Sequence, residues 1–394
     1  MYKPELLLPA GNLEKLRFAL IYGADSVYVG GKELSLRKQA SNFTDEDLIE
    51  GVKFAHHLQK KVYVTVNVIP RMEDMKEVKT YLKFLEKIEV DGLIVSSPAI
   101  IYLAHKYTKL HLSLSTQASV SNVKSALFYK EKGIDRVVLA RELTLDEIKY
   151  FKENSPLELE IFIHGGMCSA WSGRCTLSNF LASRDANSGG CAHSCRWNYD
   201  IFDNGKKINH HYFRIGSKDL SGLSFISSLM NIGEFTFKVE GRMKSVSYIS
   251  MVAYTYRHLI DDIMRGKEKE LSYYTHLLGE QINRETSSGF FKGIPGSEGT
   301  IYQDNLNESS QGFLGIVKSY DDNKKEASIE VHNYFREDEI VEIISPNQEI
   351  RELKVTNLNH RGRPIEAASH ALEIVQITSE ISLNNNDILR RKIL

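Results

Sequence analysis

Outside one short stretch the sequence contains no cysteine. All four of its thiols, Cys168, Cys175, Cys191 and Cys195, fall within "GGMCSAWSGRCTLSNFLASRDANSGGCAHSCRW", which runs from Gly165 to Trp197. Long apolar runs are missing too. None approaches the ~20 residues of a membrane span, and the apolar part of "MYKPELLLPAG" is too short for a signal peptide. A cytoplasmic protein without membrane contact is expected, and in that compartment structural disulfides are rare. Charge of one sign is also lacking: 50 Lys and Arg face 51 Asp and Glu, a net −1. A polyanionic partner would have to find a local basic patch. No G-x-G-x-x-G follows the first predicted strand, which speaks against a dinucleotide-binding sheet. Neither H-E-x-x-H nor G-x-S-x-G occurs, so zinc-protease and serine-hydrolase signatures are absent.

What is present is a repeated unit. Short β-rich runs at 5–8, 26–30, 61–68, 92–96, 111–115, 136–140, 159–163 and 235–239 alternate with segments of helical periodicity. Nearly continuous apolar runs suit parallel strands buried on both faces. Thr144 and Glu147 form a capping box, with Leu143 and Ile148 as a hydrophobic staple. Thr44 opens a helix whose apolar residues Leu48, Val52, Ala55 and Leu58 share one face. Eight such units predict an α/β fold, a (β/α)8 TIM-like barrel; an open doubly wound sheet is the alternative. About seventy residues separate strands seven and eight, and the cysteine segment, 165–197, fills the first part of that insertion. Active sites of barrels lie at the C-terminal ends of the strands, where this insertion begins. The expected domains are 1–288 for the barrel, 289–310 for a Gly-rich linker and 311–394 for a small antiparallel β-barrel.

The cysteine spacing is C-x6-C-x15-C-x3-C. Four thiolates can complete a tetrahedral zinc shell or ligate a 4Fe-4S cluster. Structural zinc sites favour paired tight knuckles, and only the second pair fits, so the spacing leans towards iron–sulfur. Polar and small neighbours argue against four buried hydrophobic thiols. Spacing does not separate a catalytic metal from one that only staples the insertion. A cysteine nucleophile paired with His164 or His193 would leave three clustered cysteines unexplained.

Polar residues gather at the predicted strand ends: Asn67, Gln117, Arg141, Glu142, His164, Glu240, Arg242 and Lys244. On a barrel these converge on one mouth. Arg37, Lys218, Arg242 and Lys244 would form a cationic pocket for carboxylate or phosphate. His164 would either donate a proton near the cysteines or only hydrogen-bond the backbone, and Glu240 is the second candidate acid–base group.

The motifs "ELLLPAGNLEKL", "YGADSVYVGG", "VTVN", "LSTQAS", "SKDL", "FKVEGRMKS" and "NRETSSGFFKG", with the cysteine segment itself, resemble the peptidase U32 family. That family includes collagenase-like proteins and prephenate-dependent RNA hydroxylation enzymes. The C-terminal "GIVKSY" and "IEVHNYFREDEIVEI" are similar to its small β domain, so the resemblance spans nearly the whole chain. It implies a 4Fe-4S cluster on Cys168, Cys175, Cys191 and Cys195. It also implies oxygen-independent hydroxylation of wobble uridine in tRNA to 5-hydroxyuridine, with prephenate as the hydroxyl source and a paralogous subunit as a further partner. In this reading the β domain binds the anticodon arm, with Arg361, Arg363, Arg390, Arg391 and Lys392 as phosphate contacts. A U32-type peptidase and a metal-stabilised RNA-binding or assembly factor are the rival functions. Two positions depart from the family pattern: Ser97 stands where an acidic residue precedes the proline, and Glu285 where a glycine is usual.

Overall fold

In the computed structural model, which describes residues 2–32, 34–35, 42–210, 212–279, 285–301, 312–346 and 348–392, all eight expected strands form. They are β1 (Glu5–Pro9), β2 (Ser26–Val29), β3 (Lys61–Val66), β4 (Gly92–Val95), β5 (His111–Leu114), β6 (Arg136–Val138), β7 (Glu158–Gly165) and β8 (Thr236–Val239). Each pairs in parallel with the next, and β8 pairs with both β7 and β1. The sheet is therefore a closed barrel rather than an open one.

The strands close because their two faces differ. Outward residues such as Leu6, Leu8, Val27, Val64, Leu93 and Leu114 share one core with the surrounding helices. Inside, Leu7, Tyr28, Tyr63 and Ile94 form a separate small cluster. The interior also carries charge. The buried Arg136 guanidinium lies 3.0 Å from Glu5, 2.9 Å from Glu158 and 3.5 Å from Glu160. Charges removed from water persist only when paired, and these are paired. The helix starts follow the caps in the sequence. Thr144 and Glu147 close the predicted capping box, and Thr44 forms another with Asp47.

Residues 313–391 form an eight-stranded antiparallel sheet, a half-barrel with its own core around Leu314, Ile329, Phe335 and Val375. It is not loosely tethered. Phe313, Ile316, Ile344 and Ile388 belong to the core of the (β/α)8 barrel. The Tyr22 hydroxyl lies 2.9 Å from the Ile344 carbonyl and 2.8 Å from that of Asn386. Segment 289–300, expected to be a linker, packs instead as a strap. Phe291 is buried with its ring 5.1 Å from that of Phe225, and its carbonyl accepts from the Leu145 amide at 3.2 Å. Two adjacent phenylalanines have too much apolar surface to stay in water. Residues 302–310 lie outside the described residues.

Candidate active site at the barrel mouth

The insertion leaves β7 through Gly165, whose φ is +101°. A Cβ there would stand 2.2 Å from the Glu240 carbonyl oxygen, so only glycine lets the chain turn at this point. It returns as the short strand Asp219–Ser221, antiparallel to β7, with Leu220 opposite Gly165 and Ser221 opposite His164. Residues 166–218 thus start and finish at the C-terminal end of one strand and lie over the mouth.

Arg141 pins this segment. Its Nη1 donates to the Gly166 carbonyl at 2.8 Å and its Nη2 to Ser172 Oγ at 2.6 Å, with the guanidinium 5.4 Å from the centre of the Phe162 ring. The loop after β3 braces the other side. The Ile69 amide donates to the Asn187 carbonyl at 3.2 Å, and Arg71 pairs with Asp185 at 3.2 Å. Asn187 Nδ2 in turn donates to the Cys175 carbonyl at 3.1 Å.

Three of the four thiols share a neighbourhood. Burial pushes the Cys195 thiol up, a hydrogen bond with Ser169 and the Arg196 charge oppose this, and Cys168 and Cys191 lie close enough to add to the rise. Cys191 is exposed and the other three are half-buried. The donor chemistry suits a thiolate-bound group. Yet among the described residues no three Cys, His, Asp or Glu side chains converge on a point that would hold a metal ion. The sulfurs are neighbours without forming a shell.

The expected cationic pocket is instead a set of paired charges. Arg242 is buried, donating to Ser35 Oγ and Asn42 Oδ1 at 2.9 Å each, in space left by Gly30. Lys218 pairs with Glu285 at 3.2 Å. Lys244 lies 3.9 Å from Asp219, which also pairs with Arg196 at 3.6 Å. Low-dielectric surroundings make an unpaired cation costly, so each has a partner. Arg37 lies outside the described residues. Asn67 Nδ2 is 3.4 Å from Ser115 Oγ, which also accepts from the Gln117 backbone N–H at 3.3 Å, and the Gln117 side chain lies against Gly173 of the insertion, its Oε1 3.0 Å from where a Cβ there would stand. Burial raises the carboxyl of Glu142. Glu240 faces the insertion, its Oε2 3.6 Å from where a Cβ on Gly166 would lie.

Among the described residues the His164 ring meets neither the cysteines nor the backbone but a side-chain hydroxyl. A register shift between Lys238 and Val239 places it beside β8, and its Nδ1 lies 3.2 Å from the Tyr256 hydroxyl on helix Val246–Arg265. Burial, with a smaller push from Lys244, lowers its pKa to about 3. It is a neutral imidazole at neutral pH and not a proton donor of the imidazolium type. The phosphate contacts expected in the C-terminal domain also divide. Arg390 is 1 % exposed and bonded to Glu342 and to the Leu277 carbonyl, so it cannot meet a phosphate. Arg391 is held by Glu339 and the Tyr334 carbonyl, and Lys392 pairs with Glu352. Arg361 and Arg363 are exposed.

Sequence reasoning passed over Asp219, Arg196 and a hairpin within the insertion. Asp219 sits inside the "SKDL" motif without any periodic signal. The hairpin had one: "DNGK" at 203–206 is the Asn-Gly signature of a two-residue turn.

Comparison with known proteins places residues 11–301 in peptidase family U32 and residues 309–390 in the family's C-terminal domain. The tRNA hydroxylation protein P1 of Bacillus subtilis is 39% identical over 400 residues, 99% of this chain and 95% of that protein. The tRNA hydroxylation protein P of Escherichia coli is 33% identical over 402 residues, 89% of this chain and 88% of that one. An uncharacterized protease of Methanocaldococcus jannaschii is 40% identical over 308 residues, 74% of each chain.

Proposed function

The chain belongs to peptidase family U32, and on that footing we propose that it hydroxylates tRNA. The observation that carries this reading is the collinear match, through both domains and the cysteine insertion, to a tRNA hydroxylation protein over 99% of this chain and 95% of the relative. The finer proposal is conversion of wobble uridine to 5-hydroxyuridine without molecular oxygen, with prephenate supplying the hydroxyl oxygen.

The chain's own residues have distinct work in this reading. Arg141 and the loop after β3 hold the insertion over the mouth, which keeps water from the reacting base. Cys168, Cys175, Cys191 and Cys195 would hold a 4Fe-4S cluster, with zinc as the alternative occupant. Such a cluster, when bound, supplies one-electron chemistry and a Lewis-acidic iron. Asp219, held by Arg196 and Lys244, marks the side of the mouth where cations already receive a carboxylate. A dicarboxylate such as prephenate would bind beside it by drawing Arg196, Lys244 or Lys218 from their present carboxylate partners. Glu240 is the acid–base candidate that remains once His164 is assigned to Tyr256. Arg361 and Arg363, two exposed cations of the β domain, would meet the anticodon arm, and a paralogous subunit would be a further partner. A peptidase reading has less support, because the relatives named as tRNA hydroxylation proteins match over 99% and 89% of this chain.

Deleting the gene and analysing tRNA nucleosides tests the proposal. Loss of 5-hydroxyuridine and its derivatives, restored by the wild-type chain and not by a Cys168→Ser, Cys195→Ser variant, is expected. Unchanged nucleosides in a strain without a paralogue would reject it. Anaerobic purification with iron, sulfide and zinc analysis decides the occupant: stoichiometric zinc without iron removes the cluster.

A further inference from the structure

The insertion carries a projection that holding the cysteines does not require. Tyr199 and Phe213 bridge as an antiparallel pair, exchanging hydrogen bonds of 2.8 Å. Beyond them Phe202–Asp203 pairs with Lys206–Lys207 around Asn204 and Gly205, whose φ values are +47° and +79°. This is a two-stranded hairpin on a primed turn. Its base is fixed to the cysteine segment: the Ile215 amide donates to the Cys195 carbonyl at 3.1 Å, and the Tyr199 hydroxyl donates to the Ser194 carbonyl at 2.6 Å.

Every residue from Ile201 to Ile208 is exposed. An isolated two-stranded hairpin is only marginally stable in water. This one nevertheless displays large apolar side chains, with Phe202 62 % exposed, Ile208 57 % and Tyr212 51 %. Large apolar side chains exposed together on one projection mark a place for binding. Charge selects the occupant. Residues 165–218 contain seven Lys and Arg against three Asp and no Glu, a net +4. The whole chain is −1, so the remainder carries −5. On the hairpin itself Lys206 and Lys207 are balanced by Asp200 and Asp203, so the basic excess of the insertion lies at the hairpin's base and an RNA strand would run from that base onto the exposed rings. Lys207 Nζ lies 2.6 Å from Asp200 Oδ1 and 5.5 Å from the centre of the Tyr212 ring, a paired cation beside an aromatic face.

We infer that hairpin 199–213 is a stacking platform for single-stranded nucleotides of the RNA substrate, those flanking the base presented to the barrel mouth. The inference rests on the tRNA reading above and adds where the loop is gripped. Interleaved aromatic faces and cations are the surface that single-stranded nucleic acid needs, since every base has a face to stack and every linkage a charge to meet. Because the hairpin springs from Cys195, nucleotides on it would lie next to the cysteine segment.

The test uses the full-length protein, a fluorescein-labelled unmodified anticodon stem–loop and anisotropy titrations across a salt series. Phe202→Ala with Tyr212→Ala is expected to weaken binding by roughly tenfold per ring or more. Lys206→Glu with Lys207→Glu should weaken it and flatten the salt dependence. Metal content matching the wild type shows that both variants keep the cysteine segment. A photoreactive uridine in the loop should crosslink to the hairpin. If both variants bind RNA like a wild type that restores 5-hydroxyuridine in cells, the hairpin inference falls and the tRNA reading stands. A wild type that neither binds the stem–loop nor restores the nucleoside overturns both. Variants that keep RNA affinity and lose a co-purifying protein make the hairpin a protein interface, which also overturns the inference.

Discussion

Lys238 Nζ lies 2.5 Å from Glu160 Oε1 on the axis of the barrel, with the carboxylate wholly buried and the lysine 5 % exposed. The ammonium also sits 4.4 Å from the centre of the Tyr28 ring. A barrel interior is ordinarily filled by branched apolar side chains. Here a chain of paired charges from Glu5 through Arg136 and Glu160 to Lys238 replaces part of that packing. Lys238→Met should leave Glu160 with only the more distant Arg136, and lower stability by about 3–5 kcal/mol. Adding Glu160→Gln should recover part of that loss. Urea unfolding of the wild type, the single and the double variant checks this; equal losses in both variants would refute the pairing.

Arg141→Ala should free the start of the insertion, because two charge-assisted hydrogen bonds disappear together, each worth about 1.5–3 kcal/mol. Limited proteolysis within 166–218 should accelerate, and cellular 5-hydroxyuridine should fall. Arg141→Lys should restore little, since an ammonium cannot reproduce the planar fork that spans the Gly166 carbonyl and Ser172 Oγ. Full function in the lysine variant would show that the charge alone matters.

His164 makes stability depend on pH in a stated direction. Its folded pKa, lowered to about 3 by burial, lies below the ordinary 6.5. Between those values the unfolded chain binds a proton that the folded chain refuses. Its contribution is therefore intact above the unfolded value and is lost as pH falls, by up to about 1.4 kcal/mol for each unit within the window. The groups facing the ring are Tyr248, Tyr256 and Lys244. His164→Gln should flatten the pH dependence of unfolding free energy between pH 6 and 4. An unchanged slope would mean that other groups set it.

Arg390→Ala and the pair Arg361→Ala, Arg363→Ala should part company. Arg390 pairs with Glu342 inside the C-terminal sheet and joins that sheet to the barrel through the Leu277 carbonyl. Its loss leaves a buried carboxylate unpaired and should cost about 3–5 kcal/mol of stability. The exposed pair should leave unfolding unchanged and reduce the salt dependence of tRNA binding. Calorimetry and anisotropy on the same preparations separate the two effects.

The sequence by itself determined the barrel, because near-continuous apolar runs alternating with capped helices leave few other ways to bury both strand faces. It also determined where the cysteines gather. Four cysteines in one insertion after β7 can lie only at the C-terminal mouth, once β7 is a barrel strand. The same strand-end rule put Arg141, Asn67, Gln117 and Glu240 at that end of the barrel. Tertiary structure decided what each group touches. The register shift between β7 and β8 gave His164 to Tyr256. Charge pairing in a low-dielectric mouth turned the expected cationic pocket into the Arg196–Asp219–Lys244 and Lys218–Glu285 networks. Burial converted Arg390 from a surface charge into an anchor, and two phenylalanines turned a glycine-rich linker into a strap. Periodicity records which residues leave water. It does not record which partner a charged or polar side chain meets, because that depends on segments hundreds of residues apart arriving at the same place.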